Sequence, residues 1–208
     1  MPEAYLRPER GGAGFLSACT AALLPIPGVA GILSPPLLPS ARPAWEQAGF
    51  SLRARLLLLR RELPAPAVPE HPITLGDEES LAEVQEVDRA AFGIFWRLNM
   101  AGLQEALTAT PHRAIHLCRS AQGTLVGFAI TGAGFSLAYL QRLAVHPERQ
   151  SRGIGSSLLG AAAAWAGGRR AAALLLNTPA ENEAAAAFYR SAGFRPVTRD
   201  LAVLGRGA

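Results

Sequence analysis

One segment of the chain places residue types where they could hold an anion. Leu143-Ala144-Val145 reads as the end of an apolar strand, and His146-Pro147 turns it. Gln150-Ser151-Arg152-Gly153-Ile154-Gly155-Ser156 then forms a glycine-spaced loop that opens an Ala/Leu-rich helix. Gly153 and Gly155 let backbone approach a ligand closely. The first N–H groups of the following helix have no partner within it, and its positive dipole end faces the loop. Such a loop suits a diphosphate, and Arg152 can add a charge-assisted hydrogen bond. No Gly-Lys-Ser/Thr follows, which excludes a Walker loop. The first glycine of a dinucleotide fingerprint is missing too, and the loop follows a late strand.

A second segment lies downstream: Asn182-Glu183-Ala184-Ala185-Ala186-Ala187-Phe188-Tyr189-Arg190-Ser191-Ala192-Gly193-Phe194. An Asn opens a helix, a Tyr sits near its end, and Gly-Phe closes it. The two segments, in this order and joined by a helix and a strand, resemble the acetyl-CoA-binding motif and later signature of the GCN5-related N-acetyltransferase (GNAT) superfamily. The resemblance covers about residues 73–206 and is strongest over 138–206. Within the superfamily it looks most like the branch that acetylates the N-terminal alanine of ribosomal proteins.

The resemblance implies roles residue by residue. The backbone of Leu143 and Val145 would pair with a pantetheine arm as an added strand. An N–H near Leu143 or Ala144 would polarise the thioester carbonyl. The N–H groups of Gln150, Ser151, Arg152, Gly153, Ile154, Gly155 and Ser156 would hold the pyrophosphate. Asn182 would reach the pantetheine or order its loop. Tyr189 would bind near the sulfur and protonate the thiolate as it leaves; its other reading is an aromatic packing its helix on the sheet. A thiolate of ordinary basicity (pKa ~8.5) needs little acid help, so a phenol (pKa ~10) can serve. The implied co-substrate is acetyl-CoA and the partner an amine acceptor, small molecule or protein N-terminus.

An amine must be neutral to attack, so a base is expected. The two strand positions where relatives carry a glutamate hold Tyr139 and Asn177 here. Three routes stay open: a water chain through backbone and Tyr139, a carboxylate such as Asp88 or Glu105 from the first helices, or an α-amine acidic enough (pKa ~7.7–8.0) to need little help. His146 reads as a turn residue. His112 and His116, four apart on or near a strand, do not converge as they would on a helix, and no metal site is expected. Phe92, Phe95 and Trp96 read equally as core and as an acceptor-pocket wall.

These residues need elements to carry them. Residues 72–75 read as a strand, 79–92 as an amphipathic helix and 95–107 as a second helix broken from it around Gly93. Strands follow over 114–119, 124–131 and 138–145, a helix over 154–166, a strand over 171–177, a helix over 183–192 ending at the C′ glycine Gly193, and one or two strands over 195–205. The fold class is α/β (α+β): a mixed, mostly antiparallel GNAT sheet flanked by helices, preceded by a partial GNAT-like half-domain.

That half-domain is read from an internal repeat. Ala44-Trp45-Glu46-Gln47-Ala48-Gly49-Phe50 lines up with Phe188 to Phe194, and Pro8 to Leu16 with Pro147 to Gly155. Leu16 stands where Gly155 does and Trp45 where Tyr189 does, so this half should not catalyse. Pro64, Pro66, Pro69 and Pro72 mark a stiff linker. The expected organisation is 1–63 half-domain, 64–72 linker, 73–208 N-acetyltransferase domain. A half-sheet with an unpaired edge should dock on the rest of the chain or on a second copy, which makes a homodimer compatible.

Composition narrows the function class. Of 208 residues 50% are hydrophobic and 17% charged, which excludes global disorder. All 20 cationic side chains are arginine and the net charge is +4, with no dense cluster, which argues against nucleic acid as partner. Two cysteines cannot build a disulfide framework. No apolar run reaches the ~18 residues of a membrane span. Leu16-Ser17-Ala18-Cys19 imitates a lipoprotein box, but the apolar stretch before it is too short for export, and a cytoplasmic location is expected. The leading function is an acetyl-CoA-dependent N-acetyltransferase working by direct amine attack in a ternary complex. The alternative is a non-catalytic acyl-CoA-binding scaffold of the same fold.

Overall fold

The computed structural model describes residues 3–5, 12–64, 69–197 and 201–207. The chain divides into two compact units, residues 60–176 and residues 1–59 with 177–208, and the division falls inside two strands. Residues 6–11 and 65–68, and with them the Pro8–Gly11 part of the repeat and the middle of the linker, lie outside the described residues.

In the unit of residues 60–176, β4 (Ile73–Gly76), β5 (His112–Arg119), β6 (Leu125–Ala133) and β7 (Leu137–Val145) form an antiparallel sheet. The start of β8 (Ala173–Pro179) joins β7 in parallel. Strand alternation sorts side chains to two faces. Ile115, Leu117, Phe128 and Ile130 point to one face and bury Leu81, Val84 and Val87 of α3 (Leu81–Ala91) and Leu103 and Leu107 of α4 (Met100–Thr108). The other face takes α5 (Ile154–Gly168), which buries Leu158, Leu159, Ala162, Ala163 and Ala166. Gly127 permits that approach, because a Cβ there would stand 3.0 Å from Ile154 Cγ2 and 3.1 Å from Leu158 Cδ1.

The sequence places a helix over 95–107; the structure starts α4 at Met100. Asn99 is the reason, since its Oδ1 caps the helix by accepting from Gly102 N at 2.8 Å. Residues 93–99 are instead a connection on the α3 side, carrying half-buried Phe95 and Trp96.

In the other unit, α1 (Ala13–Leu23) connects β1 (Glu3–Tyr5) to its parallel partner β2 (Gly31–Leu33). Then come α2 (Arg42–Gln47), β3 (Ser51–Glu62), α6 (Glu183–Ser191), β9 (Arg195–Pro196) and β10 (Leu201–Gly207). The early strands do not keep an unpaired half-sheet: β10 inserts between β2 and β3, antiparallel to both, and β9 pairs with β3. Leu16, Ile32, Trp45, Phe50, Ala202 and Leu204 share one core.

The two aligned corners have the same geometry. Gly49 and Gly193 are left-handed, at φ +84° and +86°. Phe50 N donates to Trp45 O as Phe194 N does to Tyr189 O, and Gly49 N donates to Glu46 O as Gly193 N does to Arg190 O. This is the glycine-terminated helix end. In each the aromatics meet edge to face, Trp45 with Phe50 at 4.8 Å and Tyr189 with Phe194 at 5.7 Å between ring centres.

His116 lies on the α5 face of β5, 2% exposed, its ring 6.2 Å from Trp165 and its Nε2 without a partner. Burial lowers its pKa from 6.5 to about 4. The folded state therefore resists protonation that the unfolded chain accepts below pH 6.5. This stability is fully present above pH 6.5 and is lost as pH falls toward 4, by about 2–3 kcal/mol. Urea unfolding at pH 7.5 and pH 4.5 should show a smaller acid loss for His116→Leu than for the wild-type chain. An equal loss in both would contradict this account.

Candidate functional site

The site begins with a fault in β7. Ile130 pairs with Arg142 but the next residue, Thr131, pairs with Leu140, so Gln141 is an extra residue, a β-bulge. The bulge resets side-chain direction. Arg142 and Ala144 face α3 and α4, Leu140 faces α5, and Tyr139 faces the α3 side again. The parallel ladder to β8 covers only Leu137–Tyr139 against Ala173–Leu175. Within this unit, among its described residues, no strand pairs with that edge of β7 beyond Tyr139.

Backbone direction on the open edge follows from one bond. His146 N donates to Val126 O at 2.9 Å. Alternate residues point the same way, so the peptide groups of Ala144 face β6 while those of Leu143 and Val145 face the open edge. Gln150 closes the end of that edge, its Nε2 donating to Val145 O at 3.1 Å.

The loop that follows bends through two left-handed residues, Ser151 at φ 57° and Gly153 at φ +78°. Ser151 is an unusual non-glycine residue there. Ser151, Arg152 and Ser156 are exposed, Gly153 and Gly155 partly so, and Ile154 is buried under the loop. Two loop carbonyls are already engaged: Gly153 O accepts from Ser157 Oγ at 3.1 Å, and Arg152 O lies 2.6 Å from His71 Nε2. The N–H groups of Ile154, Gly155 and Ser156 sit in the first turn of α5, where helix geometry gives them no partner. An anion at this loop would meet N–H groups, not carbonyls.

The face beside the bulge is held by a buried ion pair. Arg142 Nε donates to Asp88 Oδ2 at 2.6 Å, with Asp88 fully buried and the Arg142 side chain 13% exposed. Asp88 Oδ1 accepts from Leu98 N at 2.9 Å, and Arg142 donates a second bond to Trp96 O and stacks 3.6 Å from the centre of Phe92. This pair fastens the 93–99 connection to β7. Both oxygens of Asp88 are engaged and the side chain is fully buried, which argues against it as the base. Glu105 is exposed on α4, and Tyr139 stays 36% exposed at the last paired residue before the open edge.

Asn182 and Tyr189 belong to the other unit. Asn182 caps α6, its Oδ1 accepting from Ala185 N at 3.0 Å. Tyr189 is 9% exposed and packs with Phe188 at 5.1 Å and with Phe194. Among the described residues no group of three or more His, Cys, Asp or Glu side chains could hold a metal ion, and no helix is long and apolar enough to cross a membrane.

The family model for the GNAT acetyltransferases matches residues 81–194. The chain belongs to the GNAT family. Solved structures agree on the fold. A GNAT-family protein from Novosphingobium aromaticivorans matches 93% of this chain and 80% of its own at 20% identity, TM-score 0.68. A tandem GNAT protein from the clavulanic acid biosynthesis pathway matches 94% and 68% at 12% identity, TM-score 0.67. The ribosomal-protein-S18-alanine N-acetyltransferase of Escherichia coli matches 66% and 93% at 22% identity, TM-score 0.57. No curated protein matches significantly. Sequence reasoning did not find the Asp88–Arg142 pair, the bonds of Glu70 and His71 to Ser157 or the contact of His71 with Arg152. Each joins residues far apart in the chain.

Removing one partner of a buried ion pair leaves the other uncompensated, at a cost of about 3–5 kcal/mol. Asp88→Asn should therefore lower the unfolding free energy by about 3 kcal/mol. Arg142→Leu in that background should recover part of it. A fully stable Asp88→Asn that loses only activity would return Asp88 to the role of base.

Proposed function

We propose that the protein is an acetyl-CoA-dependent N-acetyltransferase, with direct attack by a primary amine in a ternary complex. The observation that carries the reading is the open edge of β7 running into the left-handed loop and the start of α5. An extended amide chain fits the first and a pyrophosphate the second. The Leu143 and Val145 peptide groups would pair with the pantetheine, and the N–H groups from Gln150 to Ser156 would hold the pyrophosphate. When bound, acetyl-CoA supplies an activated acetyl thioester.

The chain's own groups do the rest. Leu143 N–H, aimed at the open edge, stabilises negative charge developing on a carbonyl oxygen; a preorganised donor of this kind is worth about 3 kcal/mol in a barrier. Ala144 N–H is spent on β6, so Leu143 takes the role. Tyr189 would give its phenolic proton to the departing thiolate. With Asp88 committed to Arg142, proton removal from the amine falls to water led by Tyr139, to Glu105 on α4, or to an acceptor amine acidic enough to need little help. The last role suits an α-amine.

The repeated corner supports residues 1–63 as a degenerate GNAT-like half-domain, joined through the linker 64–72 to the acetyltransferase domain 73–208. Trp45 there lacks a phenol, and Leu16 is buried in a hydrophobic core. Neither residue can repeat the chemistry.

Saturating acetyl-CoA at ~100 times its Kd should add ~2.7 kcal/mol and raise Tm by roughly 5–10 °C. Gly155→Asp, compared with its own ligand-free Tm, should lose that rise. Tyr189→Phe should keep it and lower kcat with an amine panel at least about tenfold. Binding without turnover on any amine would instead favour the non-catalytic acyl-CoA scaffold.

A further inference from the structure

The end of the proline-rich linker lies across the GNAT loop. Ser157, buried in the first turn of α5, accepts from Glu70 N at 3.1 Å and from His71 N at 3.2 Å while donating to Gly153 O. The His71 ring meets Arg152 O. These bonds fix Glu70 beside Gly153: a Cβ built on Gly153 would stand 2.5 Å from Glu70 Oε2. The Glu70 side chain is exposed and has no arginine partner among the described residues. A carboxylate thus sits at the positive end of α5, where helix electrostatics favours an anion.

We propose that Glu70 is a built-in competitor for the anion at this loop. The inference rests on the reading of the loop as the pyrophosphate site. An incoming diphosphate and the Glu70 carboxylate bear like charge and seek the same helix end, so the ligand binds only as Glu70 swings aside. The strap's backbone bonds to Ser157 need not break, because the Glu70 side chain alone can rotate into solvent. Residues 70 and 71 thereby set the affinity for the cofactor, and any partner or ligand that draws this end of the linker away would raise it.

The test is calorimetric titration of the full chain with coenzyme A, wild type beside Glu70→Gln, at 50 mM and 500 mM NaCl. Glutamine keeps the shape and removes the charge. The expected result is ~2–5-fold tighter binding by Glu70→Gln at low salt, shrinking toward parity at high salt as exposed charges are screened. Equal or weaker binding by Glu70→Gln, with a wild-type chain that binds, overturns the competitor and leaves the loop assignment standing. A gain that ignores salt also overturns it, since competition between exposed charges must weaken as they are screened. No binding by either chain overturns the loop assignment and the competitor together.

Discussion

The bulge at Gln141 is the constraint from which the rest of the site follows. One extra residue in β7 turns Arg142 toward α3, where it meets Asp88, and Leu140 toward α5. Without it Leu140 would share the face of Arg142 and Ala144, and Tyr139 would point away from the 93–99 connection. Four residues before the bulge begins the short parallel ladder to β8, which ends at Tyr139. A sheet normally leaves few backbone groups unpaired in its interior. Here the peptide groups of Leu143 and Val145 face away from β6, and the antiparallel ladder to β6 keeps the strand in place.

The loop shows the same economy in its polar groups. Its carbonyls at Arg152 and Gly153 are held by His71 and Ser157, so the helix start presents donors. Left-handed Ser151 and Gly153 supply the curvature. Between loop and bulge, Gln150 reaches back to Val145 O, linking the glycine loop to the strand edge. The Asp88–Arg142 pair does comparable work on the α3 side: it spends a buried charge to fix a connection rich in aromatic side chains.

Much of this was legible in the sequence. The Gln150-x-x-Gly153-x-Gly155 loop between an apolar strand and an Ala/Leu helix is local, so its spacing pointed to a ligand loop and the resemblance to the GNAT signature gave that weak pattern its weight. The corners at Gly49 and Gly193 were also local, being set by a glycine at a helix end. What the sequence hid was long-range. Asp88 looked like a free carboxylate because nothing near it in the chain shows that Arg142 fills its oxygens. The start of α4 moved to Met100 because an Asn cap outweighed an apolar run that also reads as helix. The insertion of β10 between β2 and β3 depends on pairing across the length of the chain, which no local pattern encodes.

The central claim, that the open edge of β7 and the loop after it form one cofactor surface, is tested most directly by amide hydrogen exchange with and without coenzyme A. The account expects new protection confined to residues 141–157, with Leu143, Val145 and the amides of 150–156 slowed most and β5 unchanged. Coenzyme A that binds while leaving these amides as fast as in the free protein would contradict it.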